Sequence, residues 1–367
     1  MNIVNIGTDK SLVGGSQLGD AVLRHKKYGE FIDNLDIIVY TNKKDKLTKY
    51  QISENVFGHP TNSWAKIFFI FDAIKLFKQI NLRHQVDVVQ CQDPFVVALV
   101  GCIVKKNHRV KLQINFHGDF LDNPEWLREK LINRFFLWLS KYTVNRADGI
   151  RVMSQGQREK LIKAGIKESK VRVISTPVDL QKYLLESGQV EGKIVLHVGR
   201  DDEVKDYDTL IKAFKIVKSK FSEVVFWQAG ADKKVKQAMK ENDFLEVELK
   251  GLVSADDLVS IYNKSKIFVL SSRSESFGKV LVEANACSKP VVSTVTTGAK
   301  EIVEDGFNGF LVSIGDYEAL AEKIIYLLNN ESEAKKMGEQ GREKMIKMFS
   351  DNTEKIINFW KDIKNDL

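Results

Sequence analysis

Short apolar runs alternate with longer stretches whose apolar residues recur at helical spacing, and the alternation is played out twice along the chain. In the first half the pattern predicts strands at Asn2–Ile6, Asp36–Tyr40, Val86–Cys91, Val110–Phe116 and Gly149–Met153. Helical stretches fall between them, among them about Leu18–Tyr28, Ser63–Gln79 and 126–146. A second series opens at Lys193–Val198 and continues at Val224–Gln228, Val247–Gly251 and Ile267–Leu270. Two helices are predicted after Val312, then a last amphipathic segment with Ile356, Ile357, Phe359 and Trp360. Strand and helix in regular alternation argue an α/β fold with parallel sheets. The polar stretch 172–179 lies between the two series and reads as a joint, stiffened by Pro177.

The most informative stretch is 268–293. Phe268, Val269 and Leu270 read as a strand, Ser271–Ser276 as a loop and Gly278–Ala286 as a helix, with another strand after Pro290. In a parallel sheet such a unit delivers its loop to the carboxyl edge, where a helix N-terminus binds phosphate. Ser276, Phe277, Gly278 and Lys279 lie at that point. The glycine permits close approach to the backbone and the lysine adds positive charge for a diphosphate. Glu283, one or two turns into the helix, suits two ribose hydroxyls, and Glu275 in the loop suits the hydroxyls of a second sugar. Together they are shaped for a sugar joined to a nucleotide.

Composition narrows the field further. A chain of 367 residues with 43% hydrophobic and 29% charged side chains suits a soluble protein of two domains. Cys91, Cys102 and Cys287 are odd in number and widely spaced, which argues for buried thiols in a reducing cytoplasm rather than disulfides or a zinc site. The chain opens on a strand, with no basic region to start a signal peptide, and its longest apolar run, Phe95–Val104, is too short to span a bilayer. Residues 1–180 carry a net charge of +10 and the remainder −3, so an anionic partner is expected on the first half. No recognisable binding motif accompanies that charge, which argues against nucleic acid. Within 126–146, Leu127, Leu131, Phe135, Trp138 and Tyr142 form a stripe among Arg128, Lys130, Arg134, Lys141 and Arg146. Such a stripe suits a core, and its basic flanks suit an anionic membrane interface.

The run from Glu275 to Glu283, with Pro290-Val-Val-Ser and Glu301-Ile-Val-Glu-Asp-Gly-Phe-Asn-Gly-Phe-Leu-Val after it, resembles the E-x7-E signature and continuation of family 4 of the retaining glycosyltransferases. The resemblance implies the GT-B fold: two Rossmann-like domains facing across a cleft, with a C-terminal helix crossing back to the first domain. The domains expected are 1–176 for the acceptor, 177–349 for the nucleotide-sugar donor, and 350–367 for the returning helix. Gly14 and Gly15 resemble the family's glycine loop, although Ser16 and Gln17 stand where charged residues often follow. His117 matches a histidine that lies against the donor sugar, and the other histidines read as structural or surface residues. Arg200 and Lys205 resemble the pair that clamps the diphosphate, and Leu252 and Val253 stand where relatives hold the base through the backbone.

What the resemblance implies is sugar transfer with retention, from a nucleotide-sugar to a hydroxyl of a glycan or lipid-linked acceptor, in cell-surface polysaccharide or glycoconjugate synthesis. A UDP-sugar is favoured over GDP- and ADP-sugars. No cofactor and no metal are expected, since no Asp-x-Asp motif stands in a matching context. The expected location is the cytoplasm, with peripheral contact at the cytoplasmic face of the membrane. Other readings on the same fold are an epimerase, which needs further acid/base groups around the sugar, and a phosphorylase, which usually shows a pyridoxal-phosphate lysine and a longer chain. A non-catalytic nucleotide-sugar-binding protein is the alternative of another class, marked by donor binding without turnover.

Overall fold

A computed structural model describes residues 1–15, 21–121, 123–184, 192–230, 232–349 and 352–366. The chain divides into two units, Met1–Ser175 with Asp351–Leu367, and Thr176–Ser350. Each is a sheet of mainly parallel strands with helices on its faces.

Among the described residues, the first unit has an eight-stranded sheet built from β1 (Asn2–Gly7), β2 (Asn34–Val39), β3 (Tyr50–Ser53), β4 (Val56–Pro60), β5 (Val88–Cys91), β6 (Lys111–Phe116), β7 (Gly149–Val152) and β8 (Val171–Val173). Its order is β3-β4-β2-β1-β5-β6-β7-β8, and β3 pairs antiparallel with β4 at the edge. On one face, helices Phe69–Arg83, Val96–His108 and Ile132–Val144 pack over Val4, Ile6, Val89, Leu112 and Ile150. On the other, helix Ala21–Gly29 and the C-terminal helix Asn352–Lys364 cover Ile3, Leu35, Ile37 and Val88. Tyr28 meets the fully buried Trp360 edge to face at 5.6 Å, which joins those two helices.

The second unit has a six-stranded, all-parallel sheet of β9 (Ile194–Val198), β10 (Val225–Ala229), β11 (Val247–Gly251), β12 (Ile267–Leu270), β13 (Val291–Thr294) and β14 (Gly309–Val312), again among the described residues. Its order is β11-β10-β9-β12-β13-β14. Strand order therefore reverses between β9 and β12 here, and between β1 and β5 in the first sheet. At such a reversal the loops leaving the two strands part and open a crevice at the carboxyl edge, where open α/β sheets bind ligands.

Three expectations are corrected. The helix expected over 126–146 is two, Pro124–Glu129 and Ile132–Val144, because Lys130 turns extended (φ −149, ψ 134) and Asn133 Nδ2 donates to the Trp126 carbonyl at 2.6 Å, satisfying the end of the first helix. The stripe Leu131, Phe135, Trp138 and Tyr142 faces out, with Leu131 86% and Trp138 60% exposed, while Leu139, Ser140, Thr143 and Val144 face the core. The stretch 63–79 becomes a short 3-10 turn, Lys66–Phe68, and then helix Phe69–Arg83. Trp64, Ile67 and Phe71 are exposed, and Phe69, Ala73, Phe77 and Ile80 are buried. Of the helix expected from Leu18, the part from Ala21 is seen, while Ser16, Gln17 and Leu18 lie outside the described residues. Strands β3, β4 and β8 carry no apolar run of their own; they form because a paired neighbour supplies the ladder.

Candidate active site

In the second unit the site grows from the two loops that leave β9 and β12. The floor beneath the first is His197, the fourth residue of β9, which is fully buried and hydrogen-bonded through Nδ1 to Gln228 Oε1 at 2.6 Å. Gln228 donates its own amide hydrogen to the Ala229 carbonyl, so His197 is the donor in that pair. Burial, then the charge of Lys205, pushes the imidazole down to about 3, which keeps it neutral. Tyr207 packs edge-on against it and donates to the Arg200 carbonyl at 2.8 Å, pinning the loop that carries the exposed Arg200.

The two loops are laced together. Ser271 Oγ donates to the Lys205 carbonyl at 2.8 Å and the Arg273 amide to the Val204 carbonyl at 2.7 Å. The guanidinium of Arg273 pairs with Asp206 at 3.0 Å, and Asp206, at φ 49, caps helix Tyr207–Lys220. In consequence the Lys205 ammonium meets the Glu275 carboxylate as an ion pair across the strand reversal, and Ser272 Oγ donates to the same oxygen at 2.9 Å. Both charged groups are largely buried, at 12% and 16% exposure, so their mutual attraction is poorly screened.

Beyond Glu275 the chain turns through Ser276, buried Phe277 and Gly278 into helix Lys279–Ala286. Gly278 stands at φ 76 just before the helix, a conformation that strains any residue with a Cβ. Glu283 is buried in that helix. Tyr262 OH donates to its Oε2 at 3.0 Å, and Lys279 Nζ stands 3.4 Å from its Oε1. A carboxylate has about four lone-pair sites, so two such partners leave it able to accept more hydrogen bonds. Leu252 and Val253 follow β11, which lies two strands from β9, and Leu252 is 73% exposed.

In the first unit Gly14 and Gly15 close the short helix Lys10–Val13 after β1, and both amides bond back into that turn, to Ser11 and Lys10 carbonyls. A Cβ on Gly15 would fall 2.6 Å from the Lys10 carbonyl oxygen, so the turn itself requires the glycine. His117 follows β6 and sits 2.8 Å from Gln92 Oε1 by its Nε2. The residue is exposed at its surface, yet crowding by protein atoms, then the charges of Arg151 and Arg24, lower its pKa from the ordinary imidazole value. The structure thus groups Arg200, Lys205, Glu275, Ser276, Phe277, Gly278, Lys279 and Glu283 on adjoining loops and one helix of the second sheet, while Leu252 and Val253 stand farther along the same edge. Sequence reasoning missed Tyr262, Arg273, Asp206 and Gln92. Only Arg273, within the loop 271–276, lay in a stretch already marked by pattern.

Comparison with known proteins bears on this geometry. A family model described as glycosyl transferases group 1 matches residues 186–344, and one described as glycosyltransferase family 4 matches residues 33–182. An uncharacterized glycosyltransferase of Methanocaldococcus jannaschii is 31% identical over 315 residues, covering 86% of this chain and 85% of that protein. The chain belongs to glycosyltransferase family 4. A capsular polysaccharide biosynthesis glycosyltransferase of Staphylococcus aureus, CapM, is 28% identical over 344 residues and covers 86% of this chain and 87% of its own. The crystal structure of Anabaena HepE in complex with UDP-glucose matches with a TM-score of 0.76 at 20% identity over the whole of both chains, a likeness of fold. This glycosyltransferase has the two parallel-sheet α/β units of the GT-B fold, and no helix among its described residues is long and apolar enough to cross a membrane.

Proposed function

We propose that this glycosyltransferase moves a sugar, with retention and without a metal, from a UDP-sugar to a hydroxyl of a cell-surface glycan, free or lipid-linked. The observation that carries the reading is the ion pair of Lys205 with Glu275, set beside Arg200 and Lys279 at the strand reversal of the second sheet. Cleaving the bond from the anomeric carbon to phosphate leaves negative charge on the diphosphate. Arg200, Lys205, Lys279 and the N-terminal end of helix Lys279–Ala286 would offset that charge in place of a metal ion. Glu283 would accept from the ribose hydroxyls. Glu275 and His117 would orient the sugar while the acceptor hydroxyl attacks from the leaving-group face and its proton passes to the departing phosphate oxygen. The UDP-glucose held by HepE supports a uridine donor, and the capsule role named for CapM supports a surface glycan.

Peripheral contact with an anionic membrane at its cytoplasmic face is part of the same proposal. It is supported by exposed Leu131, Phe135, Trp138 and Tyr142 on a helix that also carries Arg134 and Lys141, with Arg146 stacked 3.6 Å over the Tyr142 ring. The test of the donor is thermal stabilisation by UDP-, GDP- and ADP-sugars in chelator, repeated with magnesium. A selective shift that needs no magnesium, followed by NMR showing the donor's anomeric configuration kept in the product, is expected. A shift only with magnesium or an inverted product would remove the metal-free or the retaining part. Binding without turnover across acceptors would favour a non-catalytic protein.

A further inference from the structure

A chain of amide side chains crosses the carboxyl half of the first sheet, ends on His117, and runs in one direction only. Its origin is a backbone carbonyl. His25 Nδ1 lies 2.8 Å from the Ala21 carbonyl oxygen, which can only accept, so that nitrogen bears the proton. With that ring neutral, Nε2 is the lone-pair nitrogen and accepts from Asn5 Nδ2 at 2.9 Å. Asn5, so turned, presents Oδ1 to Gln92, whose Nε2 donates at 2.8 Å. Gln92 is left with Oε1 facing the other way, where Asn115 Nδ2 donates at 3.2 Å and His117 Nε2 stands at 2.8 Å. Gln113 Nε2 in turn donates to Asn115 Oδ1 at 2.8 Å, while the buried Gln113 Oε1 has no hydrogen-bond partner among the described residues.

The strand register explains why these groups meet. Asn5, Gln90 and Gln113 are paired neighbours across β1, β5 and β6, and Asn115 is paired with Arg151 of β7, so alternate residues place a polar row on one face. His25, Asn5, Gln113 and Asn115 are all buried. Turning Gln92 over would set its oxygen against Asn5 Oδ1 and its amide hydrogens against those of Asn115. Reversing one member therefore leaves buried groups unpaired, at a cost well above that of an ordinary lost hydrogen bond.

We propose that this relay holds His117 with its proton on Nε2, so that Nδ1 is a hydrogen-bond acceptor, and that His25, Asn5 and Gln92 are positioning residues acting through His117. Resting on the reading of His117 as a sugar contact, the ring takes a hydrogen bond from a hydroxyl or N–H of the donor sugar.

The experiment is long-range proton–nitrogen NMR on the full chain with ¹⁵N-labelled histidine, the two rings assigned by His117→Gln and His25→Gln. A free imidazole already leans towards Nε2–H, so the decisive sign is opposite tautomers in one spectrum: His25 protonated on Nδ1 and His117 on Nε2. Gln92→Glu keeps an acceptor before His117 and should keep its protected Nε2–H. Gln92→Met has none, and exchange of that proton should quicken at least about fivefold, the share of one net hydrogen bond. His117 protonated on Nδ1, His25 protonated on Nε2, or an unchanged exchange rate in Gln92→Met would overturn the relay. The wild-type spectrum decides even if a variant fails to fold. Opposite tautomers together with full turnover in His117→Gln would keep the relay and remove the sugar contact instead.

Discussion

At the carboxyl edge of the second sheet the candidate groups are charged and sit on loops, whereas at that of the first, beside the cations Arg151 and Arg24, the groups leading to His117 are amides and an imidazole set largely within the strands. The difference matters because the two kinds of group recognise different things. Lys205, Glu275, Arg273 and Asp206 are held by one another, and such pairs can exchange partners when an anion arrives. Asn5, Gln92, Gln113 and Asn115 are held by the sheet register and a one-way chain of hydrogen bonds, which orients without adding charge. Exchangeable charge pairs on one edge suit a diphosphate, and a directed amide row on the other suits hydroxyls.

The sharpest way to break this comparison is to remove the charges singly. Glu275→Ala strips Lys205 of its partner and the sugar of its contact, so turnover should fall about 10²–10³-fold. Affinity for UDP should move less than about threefold, because the nucleotide does not depend on that carboxylate. Glu283→Ala should do the reverse, weakening UDP about tenfold or more, as expected for lost hydrogen bonds to a charged acceptor. Titration calorimetry with UDP beside steady-state rates separates the two, and equal losses of UDP affinity would sink the division of roles. Tyr262→Phe, which removes the donor to Glu283 Oε2, should cost UDP about fivefold through a less firmly held carboxylate.

An effect of similar size is expected on the outer face of a helix that covers the first sheet. Phe135→Ala with Trp138→Ala removes two exposed rings, and partition onto vesicles containing anionic lipid should fall about tenfold or more. Partition of the parent chain should weaken with salt, since Arg134, Lys141 and Arg146 would share the work. Sedimentation with anionic and neutral vesicles measures both, and a parent chain that stays in the supernatant with either would end the membrane reading.

The same contrast explains what could be read before the fold was known. Glu275 and Glu283 announce themselves because a loop and its helix keep them eight positions apart in any structure that forms there. Tyr262 touches Glu283 from another helix, Gln92 touches His117 from the loop after another strand, and Arg273 touches Asp206 from another loop. Each of these contacts exists only once strand order and register are set, and a single chain does not display them. The outward stripe on Ile132–Val144 was ambiguous for a related reason. Periodicity locates a stripe, but whether Leu139 and Val144 or Phe135 and Trp138 turn inwards depends on the neighbouring helix Val96–His108, which contributes Val97, Val100 and Val104 to the core. Edge strands were illegible because β3 and β8 owe their form to one paired neighbour each.

The smallest expected effect tests whether the first edge really favours neutral groups. Asp93 follows β5 at the strand reversal and accepts from the Phe95 amide at 2.8 Å. Burial pushes its carboxyl from 3.8 up to about 6, against the pull of hydrogen bonds from the Phe95 and Val97 amides. Its folded pKa is therefore above its unfolded one, so the folded state binds the extra proton between those values. Stability that this group contributes is greatest at low pH and is lost as pH rises through about 6. An asparagine in its place would keep the acceptor for the Phe95 amide while carrying no charge. Asp93→Asn should thus be more stable than the parent above about pH 7, by on the order of 1–2 kcal/mol once partial exposure is allowed for. Below about pH 3, where the carboxyl is largely protonated in the folded and the unfolded chain alike, the two should melt together. Chemical denaturation at about pH 8 and about pH 3 supplies the comparison. A variant that is less stable at the higher pH would mean that the charged carboxylate is welcome at this edge, and the contrast between the exchangeable charge pairs of one edge and the amide row of the other would fail at this position.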